Sequence, residues 1–392
     1  MSLTCREPKL RFKEFRGEWV EKKFSEVTKI NQGLQIVISE RFTKKVKDSY
    51  FYITNEFLKK NNEKKYFIKN PSESVLCDEN DVLMTRTGNT GQVVTNVNGA
   101  FHNNFFKIKY CKNINKSFLV YFLRLQKTQN MILRYAGTST IPDLNHSDFY
   151  RLKINLPSKQ EQEKIASFLS GIDEKIESLT CKEKLLQKYK KGVMQKIFNQ
   201  EIGFKAKDGS EYAPWEEKRF GNISTITMGQ SPNSKSYNHD KDGMFLIQGN
   251  ADIKDRKSNP RQWTREPTKV CEVNDLILTV RAPVGTIAKS LHNACIGRGV
   301  CSIKNNKLSN IDFLYQYLLF FEQRWVSLEQ GSTFTAVSSS DIKNLKVNVP
   351  SIQEQTKIAN FLSAIDEKLL HVKKQLESTK EFKKALLQQM FV

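Results

Sequence analysis

Residues 157–175 read PSKQEQEKIASFLSGIDEK, and residues 350–368 read PSIQEQTKIANFLSAIDEK. Fifteen of these nineteen positions are identical at an offset of 193 residues. The likeness runs on from YKKGVMQKIF, ending at Phe198, to FKKALLQQMF, ending at Phe391. Chance does not write such a segment twice in 392 residues, so the chain is read as an internal repeat before anything else is asked of it.

Each copy carries the marks of a long helix. Ser158 followed by Glu161, and Ser351 followed by Glu354, form capping-box patterns directly after a proline and set the helix starts. Ile165, Ile172, Leu179, Leu186 and Val193 recur every seventh residue, flanked by Phe168, Leu169, Ile176, Tyr189 and Ile197. Ile358, Phe361, Leu362, Ile365, Leu369, Val372, Leu376, Phe382, Leu386 and Met390 draw the same stripe in the second copy. A helix of about 40 residues is roughly 60 Å long. An apolar stripe of that length needs a partner, and the expectation is an antiparallel pair with one globular domain at each end. The alternative is that each helix packs only on its own domain. The polar residues Gln160, Glu161, Gln162 and Lys164 recur as Gln353, Glu354, Gln355 and Lys357. Read as exposed, they predict a repeated docking surface for a repeated partner.

Weaker echoes join the segments between the helices. WVEKKFSEV from Trp19 matches WEEKRFGNI from Trp215, and DVLMTRTGNTG from Asp81 matches DLILTVRAPVG from Asp275 with a slip of one residue at the arginine. SFLVYFL from Ser117 echoes DFLYQYL from Asp312, and GTSTIPDLNHSDF from Gly137 echoes GSTFTAVSSSDI from Gly331. Short β-type runs (YFYITNEF, DVLMT, FFKIKY; then MFLIQGN, DLILTV, VCSIK) alternate with Asn, Gly and Asp turns before one amphipathic helix near 117–127 and another near 312–325. The fold class is α+β: two similar domains, each a twisted, mostly antiparallel sheet plus helices, related by a pseudo-twofold repeat. Residues 1–155 and 201–348 form the domains, and 156–200 and 349–392 the helical spacers.

Composition bounds the function. Lys and Arg number 63 against 42 Asp and Glu, a formal +21, which points to a polyanionic partner, with nucleic acid favoured over an anionic membrane because no lipid-anchor signal is present. The charged start MSLTCREPKLRFKEF has no apolar h-region, and no run reaches the roughly 18 apolar residues of a membrane span, so the reading is soluble and cytoplasmic. Seven scattered cysteines without a C-x-x-C pair suit neither a disulfide framework nor a zinc site. Reading base edges takes amide, hydroxyl and guanidinium groups. The loops offer Asn31 and Gln32 against Gln230 and Asn233, Thr54 and Asn55 against Gln248 and Asn250, Arg86 and Asn89 against Arg281, and Thr138 and Ser139 against Ser332 and Thr333. An ordinary polar turn is the alternative reading of each.

Catalytic marks are missing. There is no G-x-x-x-x-G-K-[ST] loop for ATP, no Asn-Pro-Pro or Asp-Pro-Pro run of an amino-methyltransferase, and no Glu-x-Lys soon after Pro142-Asp143 as a common nuclease pattern requires. The five histidines stand singly, and the repeated-looking pairs His102-Asn103 and His292-Asn293 read as turns or buried imidazoles before active bases. Two other classes stay open: a DNA enzyme whose active site the sequence does not reveal, and a coiled-coil scaffold with two protein-binding heads.

At the P-S-x-Q-E-Q-x-K-I-A-x-F-L-S-x-I-D-E-K helices the chain resembles the specificity subunit of type I restriction-modification systems over essentially its whole length. The strand patterns Asp81 to Thr85 and Asp275 to Thr279 support the likeness, with Asn80 and Asn274 where the family often has Gly. The resemblance implies two target-recognition domains on double-stranded DNA, each reading half of an asymmetric site, and helices that fix the unread gap. It also implies that two modification subunits dock on the repeated helices and that restriction subunits join them. S-adenosylmethionine, ATP and magnesium then belong to those partners, and this chain holds no cofactor, metal or catalytic residue.

Overall fold

The computed structural model describes residues 7–59, 64–137, 140–330 and 336–392. The chain divides into two compact units, Met1–Ser178 with Gln375–Val392, and Leu179–Lys374. Each unit therefore takes part of both long helices, Lys159–Phe198 and Ile352–Gln389.

In the first unit the apolar runs fold into two sheets. One has the order Thr28–Gln32, Phe105–Tyr110, Val82–Thr85, Val93–Val94, all antiparallel. The other runs Tyr66–Lys69, Ser49–Ile53, Gly99–Phe101, Leu76–Cys77, with the Ser49–Ile53 and Gly99–Phe101 strands parallel. The unbroken apolar run of Val82–Thr85 is explained by burial on both faces: successive side chains point to opposite sides. Val82 and Met84 join the core with the helices, and Leu83 joins a second core with Ile53, Phe101 and Phe105. Val20–Lys23 pairs separately with Lys153–Leu156, bringing the two ends of the globular part together.

The second unit repeats the plan. Ser224–Met228, Val300–Asn305, Leu276–Thr279 and Ile287–Lys289 follow the same order, extended by two short strands, Lys257–Ser258 and Ile253–Lys254. Its other sheet contains the parallel pair Met244–Ile247 and Ala294–Ile296. Leu276 and Leu278 face the helical core while Ile277 faces the other. The single sheet expected from sequence is thus two sheets and a two-stranded ribbon in each unit. Asn274 has a φ of 74°, a left-handed position that glycine would fill and asparagine tolerates.

The helices near 117–127 and 312–325 are present but differ from the sequence reading. The first breaks at Leu125 into Lys116–Arg124 and Gln126–Ala136, and the second runs unbroken over Ile311–Gln330. Asn115 and Asn310 cap them, accepting hydrogen bonds from the Phe118 and Phe313 amides at 3.0 and 3.1 Å.

Within each unit the two long helices run antiparallel. In the first, Leu10 N donates to Gln389 O at 2.9 Å while neighbouring Arg11 binds Glu161, so the start of one helix meets the end of the other; further along, Lys383 pairs with Asp173. In the second, Lys190 reaches Asp366 at 2.6 Å. These pairs are the same residues 193 apart. The helix ends do not stay with the domain they follow. Phe391 stacks on Phe118 of the first unit at 5.0 Å, and Phe198 meets Phe313 of the second at 5.8 Å. The stripe is narrower than the sequence reading has it, since Phe168, Tyr189 and Phe382 are exposed.

Candidate nucleic-acid interface

At one end of the sheets in the first unit, the strand tips carry a connected line of polar residues. Gln32 Nε2 donates to Asn103 O at 3.2 Å, Arg86 N to Asn104 O at 2.7 Å, and Asn55 Nδ2 to Thr87 O at 2.9 Å. These bonds bring Gln32, Asn55, Arg86 and, on the same loop, exposed Asn89 to one edge. Thr54 is corrected: it is buried, its carbonyl accepting from Phe57 N at 3.0 Å to open a short helical turn, so its side chain does not reach the surface. Arg86 is not free either. Its guanidinium binds Asp143 through Nε and a terminal nitrogen at 3.0 and 2.6 Å, and Thr87 donates to the same carboxylate. Burial opposes ionisation of Asp143, but these bonds and the arginine charge outweigh it and hold the carboxyl below its ordinary value.

The second unit builds the same edge from different residues. Gln230 N donates to Ile296 O at 2.9 Å, Gly297 N to Ile247 O at 2.8 Å, and Val280 N to Gly299 O at 2.9 Å. Gln230, Gln248, Asn250 and Arg281 are gathered here; Gln248 is half-buried and donates to Gln262 Oε1 at 3.2 Å. Asn233 is exposed, yet its Oδ1 accepts from Lys235 N at 3.1 Å and caps a turn. The backbone corrects one expected equivalence. Val280 N bonds to the turn as Arg86 N does, and Arg281 bridges Ala336 as Thr87 bridges Asp143, so Arg281 matches Thr87 and the counterpart of Asp143 is Ala336. Thr138, Ser139, Ser332 and Thr333 lie outside the described residues.

Sequence reasoning missed Asn103, Asn104 and Arg298, which sit in the turns linking Gly99–Phe101 to Phe105–Tyr110 and Ala294–Ile296 to Val300–Asn305. The Gly-Arg-Gly at 297–299, between two apolar runs, was the available signal. The His-Asn pairs are not equivalent: His102 lies in such a turn, while His292 precedes Ala294–Ile296. Burial and the charge of Arg41 push the His102 imidazole below its ordinary value, and His292 packs with tilted rings on Phe245 at 4.5 Å and meets Ser258 Oγ at 2.9 Å, so both have structural roles.

At the helix starts the expected exposed docking surface is corrected. Glu161, Gln162, Glu354 and Gln355 are buried at 1%, 1%, 3% and 0% exposure. Gln162 accepts from Asn115 N and donates to the carbonyls of Asn113 and Pro157, and Gln355 does the same with Asn310 N, Leu308 O and Pro350 O. Their recurrence is explained by identical locks between helix and domain. Only half of each capping box forms: the Glu161 and Glu354 amides meet the serine hydroxyls at 3.3 Å, but the carboxylates go elsewhere. Glu161 takes Arg11 at 2.8 and 2.9 Å; Glu354 accepts from the Trp215 indole at 3.2 Å, and burial pushes its carboxyl up. Lys164 pairs with Glu14, and Lys357 with the carbonyl of Lys205. Gln160 and Gln353 are exposed.

Comparison with known proteins assigns this architecture. The type I restriction modification DNA specificity domain matches residues 16–188 and again 212–379. The chain belongs to the type I restriction-modification specificity subunit family. Each matched segment is one target-recognition domain with most of the long helix that follows it. The specificity subunit is 34% identical to the putative type I restriction enzyme MjaX specificity subunit of Methanocaldococcus jannaschii, over 70% of this chain and 67% of that one. The MjaVIII specificity subunit of the same organism is 23% identical over 96% and 94%. The crystal structure of a type I S subunit from M. genitalium shares the fold, with a TM-score of 0.66 at 18% identity, covering 98% and 99%. Among the described residues no helix is long and apolar enough to cross a membrane.

Proposed function

We propose that each target-recognition domain reads one half of a bipartite, asymmetric sequence in double-stranded DNA through its sheet-end edge, and that this chain contributes recognition while partner subunits contribute chemistry. The observation that carries the reading is the contrast within one plan: the two edges are built from the same strand ends and hydrogen bonds, yet present different side chains. Equivalent scaffolds with unlike tips suit two unlike half-sites.

Two modification subunits docking on the repeated helices, restriction subunits joining them, and S-adenosylmethionine, ATP and magnesium held by those subunits complete the reading. The helix starts, identical at fifteen of nineteen positions, support it, because two copies of one partner need two equivalent seats. With four of the repeated helix-start residues turned inward, exposed Gln160, Gln353 and Lys164, and the half-buried Lys357, are the members left to face a partner.

Exchange of residues 20–155 for another recognition domain tests it. Methylome sequencing of cells carrying the chimera with its partners is expected to show one half-site changed and the other kept. A change in both halves, or in neither, overturns the reading. Insertion of about four residues in either long helix, roughly 6 Å of rise, is expected to alter the gap and leave both half-sites.

A further inference from the structure

Arg281 and Arg298 flank one backbone hydrogen bond, Val280 N to Gly299 O, at the recognition edge of the second unit. The antiparallel register of Leu276–Thr279 with Val300–Asn305 pairs Leu276 with Ile303 and Thr279 with Val300. Beyond it the Val280 N to Gly299 O bond at 2.9 Å joins the strand end to the 297–300 turn, and Arg281 and Arg298 are the residues next to that bond on either side. Both residues are exposed, and among the described residues neither side chain makes a hydrogen bond or ion pair. Elsewhere in this unit Arg256, Arg261 and Arg265 are each paired with a carboxylate. The backbone beneath is held: Arg298 N donates to Ser231 Oγ at 3.1 Å, and Arg281 bridges Ala336.

The first unit places no such pair at this position. There the equivalent bond, Arg86 N to Asn104 O at 2.7 Å, is flanked by Thr87 and Asn103, and the nearby arginine, Arg86, is neutralised by Asp143. The chain holds 48 lysines and 15 arginines, yet the loops 280–286 and 296–300 contain arginine and no lysine. Arginine rather than lysine at a fixed backbone position suits a planar, two-pronged acceptor, and the commonest such acceptor on a base edge is guanine O6 with N7.

We propose that Arg281 and Arg298 form a guanine-reading pair, so that the half-site read by the second unit contains guanine at positions they contact. This rests on the DNA reading given above. The test uses the full chain with its partner subunits. The half-site kept when residues 20–155 are exchanged is that of the second unit, and wild type, Arg281→Gln and Arg298→Gln complexes compete for duplexes carrying each base at every position of that half.

Each variant is expected to lose about ten- to a hundred-fold of the preference for guanine at one position, with the other half-site read as before. Equal weakening on all duplexes marks a phosphate contact and overturns the inference, as does unchanged preference; both leave the DNA reading standing. A wild-type complex with no sequence preference overturns that reading and this inference with it. Hydrogen exchange of residues 276–305 in each variant, unchanged if the unit is intact, separates lost contact from lost fold.

Discussion

Asp173 with Lys383 and Asp366 with Lys190 are one interaction written twice, whereas Arg86 with Asp143 has no second copy: Val280 and Ala336 stand in its place. The seam along the helices and the tips of the sheets lie on the same repeat, under opposite demands. Each side of the seam must fit a fixed partner across it, so a change on one side calls for a compensating change on the other. Each tip needs only a stable strand beneath it, and there residues can diverge at small cost to folding. Tyr121 and Gln316 mark the border between the two regimes: they differ chemically but both donate to the repeated aspartate, at 2.8 and 2.9 Å.

The sharpest way to break this comparison is to cut the aromatic ends of the helices. Phe391→Ala is expected to cost about 3–5 kcal/mol in the first unit, and Phe198→Ala a similar amount in the second. Hydrogen exchange resolved by peptide reads both in one experiment. Loosening of 276–305 rather than 82–110 by Phe391→Ala would show that the crossed arrangement is wrong. The helix starts come next. Arg11→Ala strands the Glu161 carboxylate, 1% exposed, and is expected to cost about 3–5 kcal/mol. Trp215→Phe removes one neutral donor from Glu354, on the order of 1 kcal/mol. Equal losses in chemical denaturation would mean the two starts are energetically alike despite their different partners.

The repeated ion pairs give a smaller effect. Their aspartates are about two-fifths exposed, so double-mutant cycles on Asp173 with Lys383 and on Asp366 with Lys190 should each return under about 1 kcal/mol. A clear inequality would break the symmetry claimed for the seam. Smallest is an acid effect confined to one tip. The folded carboxyl of Asp143 lies below its ordinary value of 3.8, so its contribution is present above that pH and is lost as the pH falls through the lowered value. Exchange in the 86–92 loop should rise in that window while 280–285, opposite Ala336, does not respond.

Much of this was legible in the sequence. The repeat, the long helices and the strand runs carry their own periodicity, and the antiparallel pairing followed from an apolar stripe that needed cover. What was not legible depends on contacts distant in sequence. Gln162 and Gln355 look like surface glutamines until Asn115 and Asn310 are folded beside them, and Glu161 reads as a capping residue until Arg11 takes its carboxylate. At the tips, a slip of one residue hid the fact that Arg281 corresponds to Thr87. Thr54, polar and in a loop, gave no sign that it would be buried. Arg298 was not legible because its place at the sheet end depends on bonds from its turn to Ser231 and Val280, distant in sequence.

The placement of Phe391 also orders events in time. Its ring closes the apolar interior around Trp19 and Phe118, so during synthesis the domain that leaves the ribosome first keeps a greasy opening until residue 391 has followed it out. The later domain meets its own aromatic plug, Phe198, already made. A nascent chain stalled between the two would thus expose its older half, the half that chaperones would be expected to hold longest.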